Sequence, residues 1–247
     1  MITAVILTKN EGKNIETCIK SLQWCSEVVV LDDYSVDNTV AIAKKLGAKV
    51  IKEKLHNDFS MQRNIALSFV SNEWVLFVDA DEEVSRILAD EIKKKILTEN
   101  EINGYYIKRQ DTLWNKKLHF GENKDAWLLR LGKTGKGKWK GKVHETWEIK
   151  SPVGYLENVL DHYPHQTIKE FFEEINFYTT LRSEELYNNK IKTSWLQILF
   201  YTKGKFFQNY IIKLGFFDGI RGFISAVIMA YHSYLVRAKL WLLWNKK

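Results

Sequence analysis

Over about the first hundred residues the apolar positions follow two rhythms. Ile2 to Leu7, Val28 to Leu31, Val50-Ile51 and Trp74 to Val78 are short unbroken runs. Between them apolar residues recur every three or four positions: Ile15, Cys18, Ile19 and Leu22, then Val40, Ala43 and Leu46, then Met61, Ile65 and Phe69, then Leu88, Ile92 and Ile96. The runs predict strands buried on both faces, and the spaced positions predict helices with one apolar stripe. Asp37 or Ser35 suits the N-cap of the second helix, Ser85 that of the fourth, and Gly47 the position just past the second. Strand and helix alternating at this spacing predict an α/β fold, a mainly parallel sheet flanked by helices.

Three of the strands stop at polar residues: Thr8 to Gly12, Asp32-Asp33, and Asp79-Ala80-Asp81-Glu82-Glu83. Strand ends in a parallel sheet share one edge, and ligands bind outside it. Asp79 and Asp81, two apart on an extended chain, would point to the same side and could converge on one hard cation. The plainer reading is that Asp and Asn cap helices and make turns at such ends.

After Gly104 the texture changes. Tyr105 to Ile107, Trp127 to Leu129 and Val153 to Leu160 read as strands, and the Lys/Gly run from Gly132 to Lys142 as a solvated hairpin or a mobile lid over an anionic ligand. Ile168 to Asn188 is helical in pattern, with Phe171, Ile175 and Tyr178 on one side. The tail is apolar and aromatic, with one stripe at Phe206, Tyr210, Ile211 and Leu214 and another at Ile224, Val227, Ile228, Tyr231 and Leu235.

Charge sharpens that last segment. The net charge of the 247 residues is +7. From Trp195 onward there are eight basic residues against Asp218 alone, so the rest of the chain is balanced. A basic, aromatic tail points to an anionic surface. Its longest uncharged run, Gly222 to Val236, is shorter than the ~20 residues of a membrane span, which favours amphipathic helices in the headgroup layer anchored by Trp241, Trp244, Lys239, Lys246 and Lys247. The alternatives are a tail folded back on the body or a contact between copies. Gly215, Gly219 and Gly222 read as helix breakers rather than a dimer motif. Cys18 and Cys25 lack metal-ligand spacing and read as small buried groups in a reducing compartment. Met1 to Val5 lacks the basic start and cleavage site of a secretory signal, so export is not expected.

Ile6-Leu7-Thr8-Lys9-Asn10-Glu11, Asp32 to Thr39, Arg63-Asn64 and Asp79-Ala80-Asp81 together resemble the ordered motifs of family 2 inverting glycosyltransferases with the GT-A fold. Val143-His144-Glu145 and Gly215 to Gly219 resemble the branch containing lipopolysaccharide core β-glucosyltransferases. Tyr34 stands where that family commonly has Gly. The resemblance implies that Thr8, Asn10, Glu11, Asp33, Arg63 and Asp79 bind a nucleotide sugar, a UDP-sugar first among them, and that Asp81 and Asp79 bind Mg²⁺ or Mn²⁺. His162 would be a further metal or phosphate ligand, or else a turn residue ahead of Pro164. Inversion needs a base opposite the leaving group. Glu145 is the candidate, with His144 orienting it or touching substrate.

The expected organisation is a catalytic domain over 1–190, with a nucleotide-sugar half at 1–103, an acceptor half at 104–165 and a packing helix at 166–190. A membrane-association region follows at 191–247. The acceptor implied is lipid-linked or of lipopolysaccharide type, and the expected location is the cytoplasmic face of the inner membrane. Two rival readings, a basic binding module without catalysis and a sugar nucleotidyltransferase, lack respectively a nucleic-acid motif and a glycine-rich phosphate loop.

Overall fold

The computed structural model describes residues 1–142, 145–164 and 167–246, apart from the side chain of Asn123. They form two compact units, Met1–Arg109 with Trp127–His162, and Gln110–Ala126 with the residues from Tyr163 onward. The helix expected to close the catalytic domain falls in the second unit.

The first unit runs β1 (Ile2–Thr8), α1 (Ile15–Ser21), β2 (Glu27–Asp32), α2 (Thr39–Lys45), β3 (Lys49–Lys52), α3 (Phe59–Leu67), β4 (Trp74–Asp79), β5 (Glu82–Glu83), α4 (Arg86–Thr98) and β6 (Gly104–Leu113). β6 continues past Arg109 into the second unit, where its end pairs with β7 (Lys116–Lys117). The first unit resumes with β8 (Trp127–Lys133), β9 (Gly137–Lys140), β10 (Thr146–Ile149) and β11 (Val153–His162). Its main sheet has the order β3-β2-β1-β4-β8-β6-β11-β5. The pairs from β3 to β4 are parallel, as expected. Beyond β4 the pairs β4/β8, β6/β8 and β5/β11 are antiparallel, because the chain after Gly104 lacks the helical crossovers that parallel neighbours need. The sheet thus has the expected parallel, helix-flanked half and adds an antiparallel extension to it.

β1 shows why the apolar runs are unbroken. Ala4 and Ile6 enter one core cluster with Ile15 and Ile19 of α1 and Leu88 and Ile92 of α4, while Val5 and Leu7 enter another with Phe77 and with Ala66 of α3. Both faces are covered, and each large aliphatic side chain taken from water contributes ~1.5–3 kcal/mol. Helix starts follow the local chemistry. Ser85 accepts from the Leu88 N–H at the start of α4, and Asp58 does the same for Met61 at the start of α3. Asp37 is not the N-cap of α2, which is Asn38, but accepts from the Thr39 N–H beside it. Gly47 lies just past α2 at φ 82°. Burial raises the Cys25 thiol to about 12 and the Cys18 thiol well above its ordinary value, as suits unreactive packing groups.

The Lys/Gly run is not wholly solvated. β9 and β10 pair antiparallel, and Trp139 and Trp147 stack with ring centres 5.3 Å apart, each meeting the Phe77 ring edge-on. Lys138 and Lys140 stay exposed on the outer side. Gly132 permits this approach, since a Cβ there would lie 2.7 Å from the Trp147 ring and 2.5 Å from the end of Ile149.

In the second unit α5 (Ile168–Asn188) starts from a reciprocal capping box between Thr167 and Glu170. Two further helices, α6 (Trp195–Phe207) and α7 (Gly219–Trp244), follow with a π-turn and a 3-10 turn between them. Phe171 and Ile175 of α5 pack with Ile228 of α7, Leu113 and Leu118. The buried Asp218 carboxylate accepts from the backbone N–H groups of His119 and Phe120. Gly222 lies directly against the Gly215 carbonyl, where no Cβ fits, so both glycines serve a tight helical corner. Among the described residues no helix is long and apolar enough to cross a membrane.

Replacing Gly132 with Val should force the β9–β10 hairpin off the sheet and cost ~1–3 kcal/mol of stability. Urea unfolding measures it, and a variant as stable as the parent would contradict the packing described.

Candidate active site

The register aligns the polar strand ends. Thr8 pairs with Asp32 across β1 and β2, and Leu7 pairs with Asp79 across β1 and β4, so the ends of all three strands lie in one row. Two loops leaving this row are stitched together. The Asn10 N–H donates to Ser35 Oγ at 2.8 Å and Asn10 Oδ1 accepts from the Val36 N–H at 2.9 Å. The Glu11 N–H donates to Thr39 Oγ1 and the Gly12 N–H to Asp37 Oδ2, at 2.8 and 2.9 Å. Asn10 and Tyr34 both adopt left-handed backbone, φ 56° and 52°. Asn tolerates that region, whereas a bulky residue such as Tyr34 is held there against a strain of ~1–3 kcal/mol. Asp33 is nearly buried, with Oδ1 accepting from the Leu55 N–H at 3.1 Å and Oδ2 from the Lys9 ammonium at 2.7 Å. Glu11 Oε2 accepts from the Asn14 side chain.

At the end of β4 lies a knot of charge. Asp79 Oδ1 accepts from Arg63 Nη2 at 2.9 Å, and Asp79 Oδ2 from Arg130 Nη2 at 2.5 Å. Arg63, on α3, and Arg130, on β8, are 3% and 5% exposed. Arg63 also donates from Nε to Glu145 Oε1 at 2.7 Å, linking the end of β4 to the residue just before β10. Its guanidinium sits over Trp139, 4.7 Å from the ring centre. Asn64 locks the same surface by exchanging two hydrogen bonds of 2.9 Å with the Trp139 backbone. Burial disfavours the Asp79 charge, yet Arg130 and Arg63 outweigh it and hold the carboxyl well below the usual carboxylate range. Glu82 is 1% exposed and accepts from the Asp79 N–H at 2.8 Å. Burial raises its pKa, opposed by Arg130 and reinforced by Asp79.

Asp81 does not share these partners. Its Oδ2 lies 3.2 Å from His162 Nε2, and His162 is brought there by the pairing of β11 with β5. Asp79 and Asp81, expected to converge, therefore face different neighbours. His144 lies outside the described residues. Thr8 Oγ1, Arg63 Nη1 and Glu82 Oε1 are buried without a hydrogen-bond partner among the described residues, an uncommon cost in a folded protein.

The family profile described as Glycosyl transferase family 2 matches residues 3–149. A Rickettsia bellii protein named as an uncharacterized glycosyltransferase is 30% identical over 97% of this chain and 85% of its own length. The chain belongs to glycosyltransferase family 2. A second relative of this transferase, the lipopolysaccharide core biosynthesis glycosyltransferase LpsC of Rhizobium meliloti, is 26% identical over 97% of the chain and 92% of its own length. Among solved structures, glucosyl-3-phosphoglycerate synthase from Mycobacterium tuberculosis, in complex with Mn²⁺, UDP and glucosyl-3-phosphoglycerate, matches at 24% identity. That match covers 46% of this chain and 44% of the synthase at a TM-score of 0.38.

Of the residues expected to bind a cation, Asp81 and His162 lie together and could hold one. A carboxylate suits Mg²⁺ or Mn²⁺, and an imidazole is tolerated better by Mn²⁺ than by Mg²⁺. Among the described residues no three His, Cys, Asp or Glu side chains form a metal-holding group, so the remaining ligands would come from substrate and water. Asp79, also expected to bind the cation, gives each of its oxygens to a guanidinium here. Arg130 and Glu82 were not singled out from sequence. A signal was there for Arg130, a lone charge inside Leu128-Leu129-Arg130-Leu131, where a strand buried on both faces has no room for an unpaired cation.

Replacing Arg130 with Leu leaves the half-buried Asp79 carboxylate with one guanidinium partner and should cost ~2–3 kcal/mol at pH 7. The folded pKa of Asp79 is depressed, so its stabilisation is present above the unfolded value of about 3.9 and is lost as pH falls below it. The cost of the substitution should therefore shrink between pH 7 and pH 3 in urea unfolding. A cost that stays constant would contradict the ion pair.

Proposed function

We propose that the first unit transfers a hexose, with inversion, from a nucleoside diphosphate sugar to a lipid-linked or lipopolysaccharide-type acceptor. The observation that carries this reading is the acid-tipped strand row with two buried guanidiniums, and with Thr8 Oγ1 and Arg63 Nη1 buried without a hydrogen-bond partner among the described residues, in a chain of this family. The family motifs suggest UDP-glucose as the first donor to try, and the LpsC relative supports the acceptor class. In this reading Thr8, Asn10, Glu11 and Asp33 receive the nucleoside, Asp33 by accepting from the base. Arg63, whose Nη1 is unpaired among the described residues, donates to a phosphate oxygen and favours the charge that builds as the diphosphate departs. Asp79 holds the two arginines in place. Asp81 and His162 would hold Mg²⁺ or Mn²⁺, which neutralises diphosphate charge when bound.

Glu145 accepts the proton of the acceptor hydroxyl as that oxygen bonds to the anomeric carbon and the bond to the diphosphate breaks. Its ion pair with Arg63 fixes the carboxylate in position. His144 either orients Glu145 or contacts the sugar. The chain works as a peripheral protein at the cytoplasmic face of the inner membrane, through the exposed apolar surfaces of its second unit.

With UDP-glucose and a lipopolysaccharide-type acceptor, Glu145→Gln should lower turnover by ~10² or more while donor binding persists. Asp81→Asn should abolish the activity that Mn²⁺ restores after chelation. Normal turnover in the first variant removes the base, and full activity of the second at saturating Mn²⁺ removes the metal ligand.

A further inference from the structure

The second unit carries a surface that sugar transfer does not use. α6 buries none of its residues fully, although it packs on α7. Trp195, Leu196, Leu199, Phe200 and Phe207 are exposed, and Trp195 reaches 69%. At that spacing they share one side of the helix. On α7, Ile220, Phe223, Val227, Tyr231 and Tyr234 are exposed on one side in the same way. Single exposed apolar residues are ordinary, but contiguous faces mark a binding surface. Between the helices runs an open groove of about 560 Å³, walled by Phe206, Phe207, Val227, Ala230, Tyr231 and Tyr234, with Thr202 and Lys203 completing its lining.

Charge narrows what can lie in it. Most basic residues of the region are engaged inside the second unit. Lys205 pairs with Glu122 at 2.7 Å and Lys213 with Asp125 at 3.5 Å. Arg221 donates to the Trp114 carbonyl, and Lys239 to the Asn176 carbonyl and the hydroxyls of Thr179 and Thr180. Arg237 lies 4.0 Å from the Tyr201 ring centre. Lys203 stands exposed on the groove, and neither α6 nor α7 contains an acid. An apolar trough with an unopposed ammonium complements a hydrocarbon chain that ends in an anion. A second copy of the chain would set one acid-free, Lys-bearing face against another, without charge complementarity.

We infer that the α6–α7 groove seats one acyl chain of an anionic membrane phospholipid, with the Lys203 ammonium at its phosphate. The exposed aromatic faces then lie among neighbouring lipids, where Trp and Tyr are favoured. The inference rests on the membrane part of the proposed function and not on sugar transfer. Because the groove is lined by apolar and aromatic side chains with Lys203 as its one cation, apolar contact dominates the seating of the chain in it, and affinity for the groove should depend only modestly on salt.

The test titrates the full chain with dihexanoyl phosphatidylglycerol below its micelle concentration by calorimetry. One saturable site per chain is expected. Ala230→Trp, which fills the groove and leaves the outer faces intact, should weaken binding by about tenfold or more. Lys203→Gln should weaken binding of that lipid severalfold and leave binding of dihexanoyl phosphatidylcholine as in the parent. Thermal unfolding of each variant separates a lost site from a lost fold, and Ala230→Leu replaces the Trp variant if that one does not fold. No saturable site, unchanged affinity in the filled variant, or a dimer that the filled variant dissociates would each overturn the inference. UDP-glucose binding is read separately, so phospholipid binding without donor binding defeats the proposed reaction and leaves the groove standing.

Discussion

Asp79 ends its strand between two guanidiniums, and the arrangement of the whole strand edge depends on that contact. Buried guanidiniums are tolerated only when paired and hydrogen-bonded, and here Arg63 and Arg130 are both satisfied by the half-buried Asp79 carboxylate, one on each oxygen. The pairing reaches across the sheet. Arg130 belongs to the antiparallel extension and Arg63 to a helix on one face, so the carboxylate ties the parallel half of the sheet to the strand beside it and to α3. Through Arg63 Nε it also fixes Glu145. Arg63 Nη1, buried beside this contact without a hydrogen-bond partner among the described residues, then reads as a donor kept for a ligand rather than as a fault of packing.

Much of this was legible in the sequence because strands buried on both faces must be apolar throughout, and because acids at their ends have to face an edge. The order of β1 to α4, the Ser85 cap and the row of polar ends follow from that. The antiparallel extension was harder. Its strands are short and interrupted, and nothing in the spacing of Trp127 to Leu129 says which neighbour they join or in which direction. The Trp139 and Trp147 stack was hidden inside a run whose Lys and Gly content resembles a solvated loop, since two aromatic side chains decide the packing of the hairpin. Asp79 and Asp81 illustrate the limit of alternation as a guide. The rule holds within a strand, but β4 ends at Asp79 and the chain turns before β5, so the two carboxylates meet different partners.

The tail shows the same limit from the side of charge. Eight basic residues against one acid suggested an electrostatic surface. Folding ties down five of those eight side chains locally, Lys205 and Lys213 on acids, Arg221 and Lys239 on neutral acceptors and Arg237 on the Tyr201 ring, while many aliphatic and aromatic residues remain outside. Net charge counts residues, and a surface depends on which of them still face outward.

The most direct measurement is a structure of the protein with UDP and Mn²⁺ bound. The account predicts that the cation takes Asp81 as a ligand while Asp79 keeps both arginines and Arg63 keeps Glu145. A cation coordinated by Asp79, with Arg63 and Arg130 turned away from it, would contradict the account at its centre.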